Sequence, residues 1–312
     1  MKIIISEFMD EASVDALRVD FDVTYEPTLV DRRDDLFAML AGADALIVRN
    51  RTQVNATLLI AAPTLRVVGR LGVGLDNIDV PACETRGIGV IPATGANAVA
   101  VAEYVIGTAM ALLREAYTRS AETAAGKWPR GALSNGREIA GKTLGLIGFG
   151  GIGQLTARLA QGLGVKVVAH DPMFDAQSAV WSATGVERKS LDELLAMSDI
   201  VSLHVPLTPE TRNLIDAQSL GKMKRASVLI NTSRGGILDE AALAAALHSG
   251  HLAGAAIDVF DREPLASGNA LADAPHAILT PHIAGVTTES NTRVSALIAE
   301  RVAAHLRQTT TG

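Results

Sequence analysis

The chain has 312 residues, 48% of them hydrophobic, and a formal charge of −6 from 34 acidic and 28 basic side chains. That length exceeds one ordinary core and suits two domains. The acidic balance, spread over both halves, argues against a nucleic-acid surface and a polybasic membrane anchor, so an anionic ligand must be attracted locally. A single cysteine, Cys83, excludes an intramolecular disulfide framework and fits a reducing, cytoplasmic setting, with a small apolar role for its side chain.

The opening MKIIISEFMDE has a short apolar run followed at once by acidic residues, and reads as a first strand rather than a signal peptide. Short β-branched runs then alternate with helical patterns, the sequence form of βαβ units and a mainly parallel sheet. Strands are expected at KIIIS, DVTYE, ALIVR, LRVVGR and IGVIPA, with helices such as DEASVDALR and RDDLFAMLAG between them. The apolar stretch from Ala96 to Leu113 carries Glu103 and is rich in alanine and glycine, so it is a poor membrane span; a buried helix between domains is expected there. A second series gives strands at TLGLIGF, VKVVAHD, DIVSLHV, SVLINT, AGAAIDV and AILTP. Its helices include QLTARLAQGLG, LDELLAMS and DEAALAAALHSG, the last N-capped by Asp239. One more amphipathic helix, roughly Ser290 to Leu306, is placed to return to the first domain, before a threonine-rich tail.

The glycines Gly148, Gly150 and Gly153 follow an apolar strand and open a helical pattern, the context that a GxGxxG needs before it means dinucleotide binding. Gly148 would permit the tight turn, Gly150 close approach of the backbone to a pyrophosphate, and Gly153 close helix–strand packing. Asp171 ends the next strand, where a carboxylate accepts hydrogen bonds from ribose hydroxyls and repels a 2′-phosphate, so NAD is expected over NADP. His170 beside it would soften that discrimination if charged.

Downstream, Arg234 follows VLINTS, Glu263 follows AAIDVFDR and His282 follows AILTP. If those runs are parallel strands, their carboxyl ends face one crevice, and a guanidinium, a carboxylate and an imidazole converge beside the dinucleotide. Taken singly, each has a structural reading: a turn arginine, a solvated cap, a loop histidine. Taken jointly, they supply a carboxylate anchor, a partner that stabilises an imidazolium, and a proton donor and acceptor. No metal ion is expected.

These motifs, with VRNRT, GRLGVGLDNID, AVAEYVIG, LHVPLTPETRNLI, INTSRGGILDEAAL, IDVFDREPL and TPHIAGVT in the same order, resemble the D-isomer-specific 2-hydroxyacid dehydrogenases, the group containing phosphoglycerate dehydrogenases, over nearly the full length. The resemblance implies an α/β fold of two doubly wound parallel-sheet domains. A flavodoxin-like substrate domain would span residues 1–97 and 287–312, and a Rossmann NAD-binding domain residues 98–286. It implies Arg234 as substrate anchor, Glu263 as partner of the histidine and His282 as acid/base. It adds Gly151, Ile152, His204, Pro206, Thr211, Thr232, Asp258 and Gly285 to the cofactor residues. Asn231 lies among the positions lining the nicotinamide side, where Asp258 would accept from the carboxamide. The backbone of Gly72, Val73 and Gly74 would meet the substrate carboxylate, and the domains would close over both ligands.

Arg49 and Arg51 flank Asn50 at the end of a strand, and period-two spacing puts both on one face if the strand persists. In the family, phosphoglycerate-type enzymes use arginines in this stretch for the distal phosphate. The substrate expected is therefore a small anionic 2-hydroxy or 2-oxo acid with a second anion on C3, 3-phosphoglycerate or 3-sulfolactate. The two share one geometry, although sulfur changes the priority and the formal label of the second becomes S. Glyoxylate or hydroxypyruvate reduction is the alternative within the class. An NAD-sensing corepressor is the alternative outside it, weakened by the lack of appended recognition segments. Formate dehydrogenases place glutamine where Glu263 stands. A homodimer built largely on the Ala96 to Leu113 helix is also expected, and no nucleic acid or membrane partner.

Overall fold

The structure, a computed structural model, describes residues 1–308, so the expected threonine-rich tail, from residue 309, lies outside them. In chain order the elements begin β1 (Lys2–Ile5), α1 (Glu11–Arg18), β2 (Asp22–Tyr25), α2 (Arg33–Leu40), β3 (Ala45–Val48), α3 (Ala56–Ala61), β4 (Val67–Arg70), α4 (Val80–Thr85) and β5 (Gly89–Pro92). They continue through α5 (Ala98–Arg114), α6 (Ser120–Ala124), β6 (Thr143–Ile147), α7 (Gly151–Gly162), β7 (Lys166–His170), α8 (Ala179–Thr184), β8 (Glu187–Arg188) and α9 (Leu191–Met197). Last come β9 (Ile200–Leu203), α10 (Ala217–Lys222), β10 (Val228–Asn231), α11 (Glu240–His248), β11 (Gly254–Ile257), β12 (Ala277–Leu279) and α12 (Thr288–Gln308). Among the described residues no helix is long and apolar enough to cross a membrane.

Two compact units form: Met1–Asn97 together with the segment from Val286 onward, and Ala98–Gly285. In the first, all strand pairs are parallel and the order is β2-β1-β3-β4-β5, the flavodoxin-like arrangement. In the second the order is β12-β11-β10-β9-β6-β7-β8, again wholly parallel. Its six strands from β8 to β11 run in the Rossmann order, with β12 added beside β11.

Parallel strands covered on both faces need continuous apolar runs, and every residue of β3, β9, β10 and β11 is buried. Helix starts are fixed by side-chain caps. Asn55 accepts from the Leu58 N–H, Asp79 from Ala82 and Asp239 from Ala242, while Ser190 and Glu193 form a capping box on α9. The terminal helix α12 sets Val294, Ile298, Val302 and Leu306 into one core with Ile3, Ile5, Ile47 and Val67, so it covers the first sheet. The helix α5, expected as a connector, sets Val105, Ala109, Leu112 and Leu113 against Leu144, Leu146 and Phe149 within the second unit. Full burial of side chains such as Leu112 and Leu113 stabilises by roughly 1.5–3 kcal/mol each. Cys83 is buried and free, and burial raises its thiol pKa.

Candidate active site

In the second sheet the strands end flush. His170, Ile147, Leu203, Asn231, Ile257 and Leu279, the last residues of β7, β6, β9, β10, β11 and β12, are Cα partners across the ladder. The chain therefore leaves the sheet along one line at Asp171, Gly148, His204, Thr232, Asp258 and Thr280. That line is the carboxyl edge, and β6 beside β9 is the point where the strand order reverses, the place where open α/β sheets bind ligands.

At the reversal, Gly148 has φ 93°, and a Cβ there would lie 2.4 Å from the His204 carbonyl oxygen, so only glycine makes this turn. Gly153 packs equally closely, with a Cβ position 2.6 Å from the Gly148 oxygen. Gly150 is the N-cap of α7 and offers no capping side chain, while Gly151 and Ile152 form the first turn of that helix. The first N–H groups of α7 are left without a side-chain acceptor, as an anion site needs. Beside Gly150 and Gly151 an added Cβ would meet nothing within 4 Å. Asp171 is buried; its Oδ2 accepts from the Phe149 N–H at 2.7 Å and its Oδ1 from the Met173 N–H at 2.9 Å. Its carboxylate thus shapes the glycine turn besides standing at the expected ribose position. His170 Nδ1 lies 3.1 Å from the Lys189 carbonyl oxygen.

On the other side of the line, Thr232 has a buried hydroxyl with no hydrogen-bond partner in the structure. A bare helix N-terminus, open space at two glycines and an orphaned buried hydroxyl on one sheet edge fit a dinucleotide. His204 lies within 3.0 Å of the Ser202 hydroxyl through Nε2. Part of its surface reaches solvent, but the surrounding packing strips the ring of water and pushes its pKa down to about 4, so it is neutral. Pro206 is exposed, and the Thr211 hydroxyl is occupied locally, donating to the Pro206 carbonyl at 2.6 Å and accepting from the Thr208 N–H at 2.8 Å.

The three residues expected to react follow β10, β11 and β12, which are neighbours. Asn231, buried at the end of β10, accepts from the Ser233 N–H at 3.0 Å and donates to the Arg234 carbonyl at 3.1 Å, so it folds the turn that presents Arg234. The next residue, Gly235, lies so close to the β11 side that a Cβ would stand 1.8 Å from the Phe260 carbonyl oxygen. Glu263 then uses its two oxygens differently. Oε1 accepts from the Phe260 N–H at 3.1 Å, and Oε2 lies 2.8 Å from Nδ1 of His282. The His282 and Glu263 side chains stay 42% and 36% exposed, open enough to meet a ligand.

His282 itself has φ 56°, a left-handed conformation, held by its N–H donating to the Asp258 and Thr280 carbonyls at 2.9 and 3.0 Å. The Asp258 carboxylate, 1% exposed, accepts from Thr280 Oγ1 at 2.6 Å and from the Ile283 and Ala284 N–H groups, each at 2.8 Å. Tyr104 on α5 reaches the same Thr280 hydroxyl at 2.6 Å. Three donors from one loop give Asp258 a structural task beside the expected cofactor one: it ties down the loop that carries His282. Gly235 and Tyr104 escaped sequence reading because their partners lie 25 and 176 positions away.

In the first sheet β3 stops at Val48, so the period-two expectation for Arg49 and Arg51 fails. Glu7, buried after β1, draws residues 49–52 into a turn: Oε1 accepts from Arg49 and Thr52 N–H, each at 2.9 Å, and Oε2 from Asn50 and Arg51 N–H at 3.3 and 3.0 Å. Burial alone would raise its pKa, but those N–H groups and the Thr52 hydroxyl lower it overall. The two arginines then diverge. Arg51 is exposed and pairs with Asp31, whereas Arg49 is half-buried and bonds Asn291. Gly72, Val73 and Gly74 follow β4 on the same edge; Gly72 is buried, Val73 exposed and Gly74 half-buried.

A family model described as "D-isomer specific 2-hydroxyacid dehydrogenase, NAD binding domain" matches residues 106–284. The (S)-sulfolactate dehydrogenase of Chromohalobacter salexigens is 54% identical over 301 residues, 96% of each chain. The chain belongs to the D-isomer-specific 2-hydroxyacid dehydrogenases. This dehydrogenase is also 42% identical over 270 residues to the D-3-phosphoglycerate dehydrogenase of Mycobacterium tuberculosis, covering 86% of this chain and only 50% of that one, so it spans about half the length of that relative. Its fold is shared with an NAD-dependent formate dehydrogenase from Staphylococcus aureus solved in complex with NAD, at a TM-score of 0.82 and 29% identity, over 99% of this chain and 96% of the other. The enzyme is thus an NAD-dependent oxidoreductase acting on CH–OH groups of 2-hydroxy acids.

Proposed function

We propose that this dehydrogenase interconverts a 2-hydroxy acid bearing a second anion on C3 with its 2-oxo form, and that sulfolactate is the favoured substrate. The observation that carries the chemistry is the 2.8 Å contact between His282 Nδ1 and Glu263 Oε2. A neutral imidazole donating from Nδ1 to that carboxylate presents Nε2 as the base, and the carboxylate stabilises the imidazolium formed when Nε2 takes the proton of the C2 hydroxyl. In the reverse direction the same Nε2–H is given to the carbonyl oxygen. NAD, when bound, supplies the hydride acceptor. Arg234 holds the C1 carboxylate with its planar fork, and Gly72, Val73 and Gly74 keep the substrate-binding role that the family resemblance gives them. Residues 1–97 together with 287–312 then act as the substrate domain, and residues 98–286 as the NAD-binding domain.

Gly148, Gly150, Gly151, Ile152 and Gly153 seat the pyrophosphate, and Asp171 takes the ribose hydroxyls and disfavours NADP. Thr232 gains in the cofactor a partner for its buried hydroxyl. The similarity to a sulfolactate dehydrogenase supports the distal anion, as does Arg49 on the carboxyl edge of the first sheet. The S label of that relative's substrate follows from sulfur priority and keeps the geometry of D-2-hydroxy acids. Initial rates with NAD should rank sulfolactate above 3-phosphoglycerate and both above D-lactate and D-glycerate. Equal kcat/KM for lactate would remove the distal-anion reading. His282→Gln should lower kcat/KM by about 10²–10⁴ while NAD binding persists.

The working unit is a homodimer. Between α5 and β6 the chain exposes Tyr117 at 75% and Trp128 at 79%, and α6 in the same stretch buries no residue. A second subunit seated on this stretch would take both aromatics out of water.

A further inference from the structure

The guanidinium of Arg49 is held on two sides within the first unit. Its Nη2 donates to Oδ1 of Asn291, on α12, at 2.7 Å, and its central carbon lies 5.7 Å from the centre of the Phe8 ring. Its backbone is fixed as well, since the Glu7 carboxylate accepts the N–H groups of all four residues 49–52. That carboxylate fills the backbone anion pocket of the turn, so a ligand anion reaching this edge must be met by side chains.

The two arginines then differ in what remains for a ligand. Arg51 is ion-paired with Asp31, so its charge is already matched. Arg49 lies within reach of the buried Glu7 charge, but that carboxylate is engaged by backbone N–H groups; Asn291, a neutral acceptor, takes one of five N–H donors from Arg49 and orients the fork without adding a second negative charge. An aromatic face under the guanidinium further restricts it to one plane.

Resting on the reading of Arg49 as the distal-anion ligand, we infer that Asn291 is a positioning residue for substrate selection: its amide oxygen aims the Arg49 fork and so sets the preference for a sulfonate or phosphate on C3 over an uncharged substituent. The choice of a neutral amide matters as much as its place. A carboxylate at the same position would hold the fork equally well and cancel its charge.

The test is steady-state kinetics of Asn291→Ala, Asn291→Asp and Arg49→Ala with sulfolactate and D-lactate as donors to NAD, with thermal melting to check folding. Asn291→Ala is expected to raise KM for sulfolactate on the order of tenfold, with kcat for sulfolactate and kcat/KM for lactate within about twofold. Asn291→Asp, nearly isosteric, is expected to raise the sulfolactate KM further. If both variants keep the native ratio of sulfolactate to lactate kcat/KM while Arg49→Ala collapses it, the role of Asn291 is overturned and that of Arg49 stands. If Arg49→Ala also keeps the ratio, both fail.

Discussion

His204 and His282 are both expected from sequence at the cofactor edge, and their surroundings differ. His282 holds a carboxylate at 2.8 Å, while His204 has the Ser202 hydroxyl and dense packing that lowers its pKa from 6.5 to about 4. An unfolded chain protonates His204 near 6.5 and the folded chain only near 4, so between these values the unfolded state binds more protons. The contribution is complete above pH 6.5 and is lost as pH falls toward 4. Urea denaturation of His204→Gln should therefore show a shallower loss of stability over pH 6.5 to 4 than the native enzyme. An unchanged slope would mean that the ring is solvated. The identity of such residues was legible in the sequence, because strand-end positions can be counted. The lowered pKa of His204 was not, since it depends on packing. The divergence of Arg49 and Arg51 was equally hidden: it follows from Glu7, 42 positions away, ending β3 one residue before the pair.

Among the elements, most strands were legible because buried parallel strands are uninterrupted apolar runs, and α5, α7, α11 and α12 because they are long enough to show a period; β8, two exposed charged residues Glu187 and Arg188, has no apolar run and escaped the sequence reading. The helices α3, α4, α8 and α10 have six residues each, less than two turns, too few for a pattern to stand out. What no period reveals is how closely two turns approach. The β10 turn presenting Arg234 and the β11 loop leading to Glu263 touch at Gly235, where a Cβ would stand 1.8 Å from a carbonyl oxygen. Gly235→Ala should cost on the order of 3–5 kcal/mol or force the two turns apart. In the latter case kcat/KM falls while the melting temperature holds, and NAD affinity measured by calorimetry distinguishes a displaced Arg234 from a damaged cofactor edge. Native activity and stability in this variant would contradict the close approach.

For the whole molecule, the two parallel sheets and their strand orders agree with the family expectation, and the flush edge of the second sheet brings residues spread from Gly148 to His282 onto one line. Sedimentation of the native enzyme at micromolar concentration should give a dimer, and Trp128→Glu should shift it toward monomer by placing charge in the covered surface. A native monomer would remove that assembly. The first unit is built from two segments that flank the second unit in the chain, since α12 completes the core begun by β1, β3 and β4. A ribosome releases those strands before the second unit and the helix that seals them after it. The central unit, emerging whole in between, can finish folding while the earlier sheet still waits with one face bare. Chaperone demand during synthesis should thus fall on the leading third of the nascent chain, and moving residues 286–312 ahead of Met1 by circular permutation should relieve it.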